Sequence, residues 1–365
     1  MSGLNLELLF KEKEQFHFNA SLPAPLCFKK TIFTMYARNA LYKMGKSLVK
    51  NEKRKVVLVP AYSCGDEIAS LVEAGLEIRP YEITDNFQVN LSDLFSKKDK
   101  ETLAIMVTHF LSIPSVNIFE IKEFARKNKI FLIENCAHVF DAELKNVHLG
   151  EIGDFSVFSI RKFLPLPHGG ALVINNPSLE KPTFTLPPNE AVMFDFLIYL
   201  ERQLNIFSLG TTIDKIYKNF GIKIKNKHGR RLEKWGGYEL SLSNFSKNLI
   251  MRMEIKEIME KRREVFSFYN RFFQTVNSKR FTPLASFIPD EVNPIFYPLR
   301  IKNATAFYKN LKRRGLMAGN PFWDDLHQYI IGWEDFPVSR QLKNEIFVLP
   351  LDRQINNNML KLAFS

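Results

Sequence analysis

The chain has 365 residues, 45% of them hydrophobic and 13% aromatic with 33 phenylalanines, which is ample for a packed core and for roughly two domains. Fifty-one Lys and Arg against 39 Asp and Glu leave a net charge of +12, which asks for an anionic partner or environment. Three cysteines, Cys27, Cys64 and Cys136, contain no CxxC pair, which argues against a disulfide framework and against a structural zinc site, so no metal is expected.

The opening "MSGLNLELLFKEKEQF" lacks a basic start, a long apolar stretch and a small-residue cleavage site; no secretory signal is read, and a cytoplasmic location is expected. No run reaches the about eighteen consecutive apolar residues that a membrane-spanning helix requires. From about residue 34 to 176, short apolar runs rich in β-branched residues alternate with helical patterns. "FTMYARNALYKMGKSLV" has helical spacing, "KVVLVPAY" is a buried-strand run closed by Pro60, and "DEIASLVEAG" is helical with Gly75 as its stop. "EIRPYEI" and "TLAIMVTHF" follow as strands, then "NIFEIKEFARKNK" as an amphipathic helix, then "IFLIEN", "FSVFSI" and "GGALVIN" as strands. Such alternation predicts an α/β fold with a mostly parallel sheet covered by helices on both faces.

Beyond residue 178 the character changes. "SLEKPTFTLPPNE" is a proline-containing connection, and "AVMFDFLIYLERQLNIF" is an aromatic-rich helix, too short to span a bilayer. Core packing or a subunit contact is its plainer use, and membrane contact through 190–231 the rival one. The one dense basic cluster, Lys223, Lys225, Lys227, Arg230 and Arg231, reads as a solvated hairpin or loop; nucleic acid is its rival partner, without a nucleic-acid-binding motif to support it. "LSNFSKNLIMRMEIKEIMEKRREVFSFYNRFF" reads as one long helix with a charged face. The tail, with "FYPLRI", "ATAFYKNLKRRG" and "EIFVLPL", predicts a small C-terminal α+β domain. The expected organisation is a large domain over 26–240, holding a divergent insertion at 178–236, and the long helix with the small domain over 241–365.

In open parallel sheets ligands collect beyond the carboxyl ends of the strands, which puts Tyr62 to Cys64, Asn135 to His138 and Ser159 to Lys162 in one crevice. Neither GxGxxG nor GxxxxGK[ST] occurs, and the paired-carboxylate and Ser-His-Asp readings have no motif. Within "SIRKFLPLPHGG", Lys162 stands between apolar strand residues and a proline-broken loop. Burial there would lower its pKa and free a neutral amine for Schiff-base chemistry; a solvated Arg161–Lys162 pair on a surface loop is the alternative.

"VLVPAYSC", "IFLIENCAH", "LGEIGDFSVFSIRKFLPLPHGGALVIN" and "FPVSRQLKNEIFVLPLDRQIN" stand in an order that resembles the DegT/StrS-type sugar aminotransferases, pyridoxal-phosphate enzymes of the aspartate-aminotransferase fold (fold type I). The likeness covers about 26–177 and 237–362. It implies that Lys162 bonds pyridoxal 5'-phosphate and shuttles a proton between substrate and cofactor carbons. It also implies that Ser159 meets the cofactor phosphate, with Ala37 to Ala40, Arg38 and Asn39 completing the cradle at a helix start. Gly169 and Gly170 would allow a close approach of the following strand. His138 falls where the family approaches the phenolic oxygen of the cofactor, and His109 is expected to be structural or to support the residues that touch the cofactor. A homodimer, a nucleotide-linked keto sugar as substrate and glutamate as amino donor follow by the same resemblance.

Four positions depart from the family pattern, the first being Ala37, at a turn where glycine or serine is usual. Asn135 stands where an aspartate keeps the pyridine nitrogen protonated, and a neutral amide lacks the charge that raises such a pKa by one to a few units. Cys64 falls where a stacking aromatic is expected, with Tyr62 two residues before it. Glu239 falls where an asparagine reaches the phosphate in the neighbouring subunit. These departures leave open a divergent relative with another reaction or little turnover.

Overall fold

The computed structural model describes residues 22–28, 30–204, 237–276, 280–316, 318–323 and 332–364; the basic cluster from Lys223 to Arg231 lies outside the described residues. The first half of the chain runs β1 (Thr31–Thr34), α1 (Ala37–Asn51), β2 (Val56–Pro60), α2 (Gly65–Glu73), β3 (Glu77–Tyr81), α3 (Leu91–Ser96), β4 (Thr102–Thr108), α4 (Ile118–Lys127) and β5 (Phe131–Cys136). A short hairpin of β6 (Glu143–Leu144) and β7 (Val147–His148) precedes β8 (Phe155–Phe158) and β9 (Gly170–Ile174).

Seven of these strands form one sheet in the order β1-β9-β8-β5-β4-β2-β3. From β3 to β8 every neighbour is parallel, while β9 runs antiparallel to both β8 and β1. The pleat sends Val56 and Leu58 to one face and Val57 and Val59 to the other, and all four are buried. That double burial is why the strand reads as an unbroken apolar run. Leu41, Met44 and Leu48 of α1 and Ile68 and Leu71 of α2 cover the face that carries Val57 and Val59.

The second half continues with α5 (Asn189–Leu204), α6 (Asn244–Ile250), α7 (Ile255–Thr275), β10 (Phe281–Pro283), β11 (Tyr297–Ile301), α8 (Ala304–Arg313), β12 (Asn320–Pro321), α9 (Pro337–Glu345), β13 (Ile346–Leu349) and α10 (Asn357–Phe364). β10-β11-β13-β12 make an antiparallel four-stranded sheet with its own aromatic core around Tyr269, Phe273, Tyr297 and Phe347. Glu82, just past β3, accepts backbone N–H groups of Val338 at 3.0 Å and Ser339 at 3.1 Å. A carboxylate at the N-terminus of α9 complements the helix dipole and ties the two sheets together.

Two expectations are corrected here. Phe33 and Thr34 belong to β1 and not to the following helix, because Tyr36 is extended (φ −141°, ψ 158°) and the helix begins only at Ala37. The long charged helix is two helices. Ser243 caps α6 by accepting the N–H of Ser246, and Glu254 leaves helical geometry (φ −81°, ψ 82°) before α7 begins. The aromatic helix α5 buries Ala191, Val192, Phe194 and Asp195, its contacts including Met35, Leu240 and Phe245. Among the described residues no helix is long and apolar enough to cross a membrane.

Candidate active site

The crevice is assembled where β2, β5 and β8 leave the sheet. After β2 the chain turns at Ser63, whose hydroxyl donates to the Pro60 carbonyl at 2.5 Å, and Cys64 becomes the N-cap of α2. Glu67, three residues on, accepts the Cys64 N–H at 2.7 Å, so cysteine takes the place usually held by serine or threonine in a capping box. Tyr62 points elsewhere. Its ring is buried against Phe110 at 5.6 Å and Trp323 at 4.8 Å, and its hydroxyl has no partner among the described residues.

At the end of β5 successive side chains face opposite ways. Glu134 accepts the N–H groups of Gly150 (2.6 Å), Ile152 (2.9 Å) and Gly153 (2.9 Å), and contacts His109 at 3.2 Å. Burial opposes its charge, but the bonds from His109 and these amides outweigh it and hold the carboxyl below its ordinary pKa. Cys136 completes a buried trio with His109 and Glu134, whose ligand-type atoms lie within 4.8 Å of one another. The carboxylate is already occupied by these donors, and His109 Nδ1 accepts the Ser115 N–H at 3.0 Å, so the trio organises the loops around β5.

Asn135 is buried at the end of β5. Its Nδ2 donates to Glu67 Oε2 at 2.6 Å, and its Oδ1 accepts the Ala137 N–H at 3.1 Å. His138 is 2% exposed, lies 5.1 Å edge-on from Phe322, and its Nδ1 has no partner among the described residues. Burial, and after it the nearby Lys162, pushes its pKa well below the ordinary value.

After β8, Ser159 leads into a single 3-10 turn, Ile160–Lys162. Lys162 is half-buried and lines a cavity of about 520 Å³ together with Tyr36, Arg38, Asp66, Arg161 and Asp195. Burial lowers its pKa, as does Arg161, while Cys64, Glu67 and Asp66 pull the other way. The Cys64 thiol is itself pushed up to about 11 by burial and by Glu67 and Asp66, so it stays neutral beside the amine. A lysine that releases its proton more readily than usual is the form of the residue that attacks a carbonyl.

The N-terminus of α1 opens onto the same cavity. Among the described residues no side chain caps it, and its first turn holds no acidic residue. The Arg38 and Arg161 guanidinium carbons lie 4.3 and 5.4 Å from the Tyr36 ring centroid. Arg38 also pairs with Asp66 at 2.9 Å. Asn39 is turned away: its amide donates to the carbonyls of Gly237 and Leu240, both at 3.2 Å. Glu239 pairs with Lys43. Thus Lys162 and Arg38 line the cavity, Cys64, Glu67 and His138 interact with the lysine, and Asn135 is bonded to Glu67, whereas Tyr62 and Asn39 are committed to packing and to the 237–240 segment. Sequence reasoning missed Glu67, Tyr36 and Asp195; for Glu67 the spacing Cys64-x-x-Glu67 was the available signal.

A seven-stranded, mostly parallel sheet with a lysine at a strand exit and a separate small antiparallel sheet is the aspartate-aminotransferase-like fold. Within that class the chain belongs to the DegT/DnrJ/EryC1/StrS aminotransferase family, whose model matches residues 37–362. It is similar to Helicobacter pylori PseC, an aminotransferase involved in the biosynthesis of pseudoaminic acid, with a TM-score of 0.68 and 18% identity over 98% of this chain and 92% of that one. A GDP-perosamine synthase of Escherichia coli O157:H7 is 33% identical over 97 residues, 26% of each chain. A UDP-4-amino-4,6-dideoxy-N-acetyl-beta-L-altrosamine transaminase of Campylobacter jejuni is 29% identical over 132 residues, 35% of each chain. The chain thus spans about a quarter to a third of the length of these curated relatives.

Proposed function

We propose that the protein is a pyridoxal-phosphate-dependent aminotransferase that moves an amino group, from glutamate or a similar donor, onto a nucleotide-linked keto sugar in surface polysaccharide or lipopolysaccharide synthesis. The observation that carries this reading is the Lys162 amine, with its lowered pKa, on the wall of a cavity at the carboxyl end of β8. Membership of the family supports the reaction class, and the sugar-nucleotide names of the relatives support the substrate class.

The residues present fit the cofactor. An uncapped helix start flanked by Arg38 and Arg161 suits a phosphate, and His138 has an orphaned, buried ring nitrogen that suits a polar group on the cofactor ring. When bound, pyridoxal phosphate supplies an aldehyde for an amine and a ring that accepts electron density from the substrate carbon. Lys162 holds the cofactor in the resting enzyme and, once displaced, carries a proton as acid and base at its Nζ. Ser159, at the exit of β8, is assigned to the phosphate. Cys64 lines the amine as a neutral thiol. The protein acts as a homodimer in the cytoplasm, and the large unit over 26–240 carries the cofactor while 241–365 closes the substrate side.

The purified protein mixed with pyridoxal phosphate is expected to show a visible absorption band that borohydride removes, leaving a modified peptide containing Lys162. Lys162→Ala must lose the band; an unchanged spectrum in that variant rejects the reading. Asn135 favours a second reading, a relative that binds the cofactor with altered turnover, which predicts the band without half-reaction on glutamate.

A further inference from the structure

Glu67 is a carboxylate whose use the capping of α2 does not exhaust. It is 8% exposed. One oxygen accepts the Cys64 N–H and the other accepts Asn135 Nδ2 at 2.6 Å. Charge-assisted bonds of this kind favour the ionised form, and among the described residues Asn135 Nδ2 makes one further contact, to the Thr108 hydroxyl at 3.4 Å. The amide is therefore fixed in one orientation: nitrogen toward Glu67, oxygen toward the Ala137 N–H. A carbonyl oxygen has two lone pairs, so Asn135 Oδ1 keeps one acceptor site beyond Ala137. An amide whose N–H is bound to a carboxylate carries more negative charge on its oxygen, since bonds in a chain polarise one another.

We propose that Glu67 and Asn135 form one positioning unit, in which the Glu67 carboxylate supplies, through the Asn135 amide, the negative bias that a cationic ring nitrogen of the bound cofactor requires. The inference rests on the function proposed above. It restores to the site a charge that Asn135 alone lacks, with Glu67 as the positioning residue and Asn135 as the group presented to the ring. The charged and titratable groups that interact with Glu67 are Lys162 from the turn after β8, Cys64 from the start of α2, and Tyr81 from β3, with the Ser63 hydroxyl also bonded to it. Burial raises the pKa of Glu67 above the ordinary carboxylate value, while the Cys64 N–H, Lys162 and the Asn135 amide act to keep it ionised. The unit therefore weakens on the acid side as Glu67 takes a proton.

The test uses the full chain loaded with pyridoxal phosphate and reads the pH midpoint of the bound cofactor's visible spectrum, together with single-turnover reaction with glutamate. Glu67→Gln keeps the shape of the side chain and its cap. It is expected to move the midpoint downward by about one unit or more, because a lost negative charge disfavours the protonated ring, and to slow the single turnover at least about tenfold. Asn135→Asp introduced into that variant is expected to return both values toward the wild type. Asn135→Leu, which leaves Glu67 in its cap and cuts the link from the other side, is expected to shift the midpoint in the same direction. If the cofactor still maps to Lys162 and neither Glu67→Gln nor Asn135→Leu moves the midpoint, the unit is overturned while the proposed function stands. If the wild-type protein forms no lysine-bound absorption at all, both fall together.

Discussion

Gly170 lies against Tyr36: a β-carbon on the glycine would sit 2.3 Å from the Tyr36 carbonyl carbon and 2.4 Å from the Ala37 nitrogen. The first residue of β9 and the first turn of α1 are thus packed backbone to backbone, and this contact fixes where the helix start meets the cavity. Backbone cannot yield as a flexible side chain does.

Gly170→Ala is therefore expected to cost about 1–3 kcal/mol of stability and to weaken pyridoxal phosphate binding. Gly169→Ala is the control. Its β-carbon meets no atom nearer than 3.4 Å, so melting temperature and cofactor titration should stay close to wild type. Equal losses in the two variants would refute the role given to the contact.

Glu134→Gln tests the loop organiser beneath the site. The substitution removes a buried charge and turns an amide N–H₂ toward a cluster of backbone donors, which is expected to cost about 3 kcal/mol or more. The sign of the pH effect follows from the lowered carboxyl pKa. The unfolded chain takes up a proton first, so the stabilisation is complete above the ordinary carboxylate range and is lost as pH falls through the lower folded value. Denaturant titrations should show a steeper acid-side loss in the wild type than in Glu134→Gln.

The central strands were legible because β2, β4 and β5 are buried on both faces and read as continuous apolar runs. β1 was not. Its residues, Thr31 to Thr34, precede α1 so closely that their apolar members continue the helical spacing, and only pairing with β9 marks them as a strand. The break between α6 and α7 carries neither glycine nor proline, so no local punctuation betrays it. Lys162, Asn135 and His138 could be placed from strand-end logic and family resemblance. The bond between Asn135 and Glu67 joins positions 68 residues apart, and pairing of that kind leaves no periodic trace in a single sequence.

Asp195 ties the helix of the divergent segment to the cavity wall. Its carboxylate accepts the Tyr36 hydroxyl and lies 3.4 Å from His168 Nδ1. His168 Nε2 in turn meets Ser243 Oγ at 2.7 Å. Tyr36→Phe and Asp195→Asn are each expected to lower stability by about 1.5–3 kcal/mol, the range for a hydrogen bond to a charged group. The double variant should lose little more than the worse single one, because both remove the same bond. Hydrogen exchange across α5 should accelerate in all three. Additive losses would show that the two residues act independently.

His138 carries the last prediction, because its buried ring resists protonation. Between its depressed folded pKa and the ordinary 6.5, the unfolded chain binds a proton that the folded one refuses, so stability falls as pH drops below about 6.5. Each pH unit across that window costs about 1.4 kcal/mol. Glu67 acts in the opposite sense, since its raised pKa adds stability at low pH that is lost as pH rises through the folded value, so the absolute slope mixes the two. The difference between wild type and His138→Gln isolates the histidine. That variant is expected to lose less stability than the wild type when both are moved from neutral pH to about pH 5, as read from urea midpoints without cofactor. Parallel curves for the two proteins would mean that the ring protonates in place and that its orphaned nitrogen is not sheltered from water.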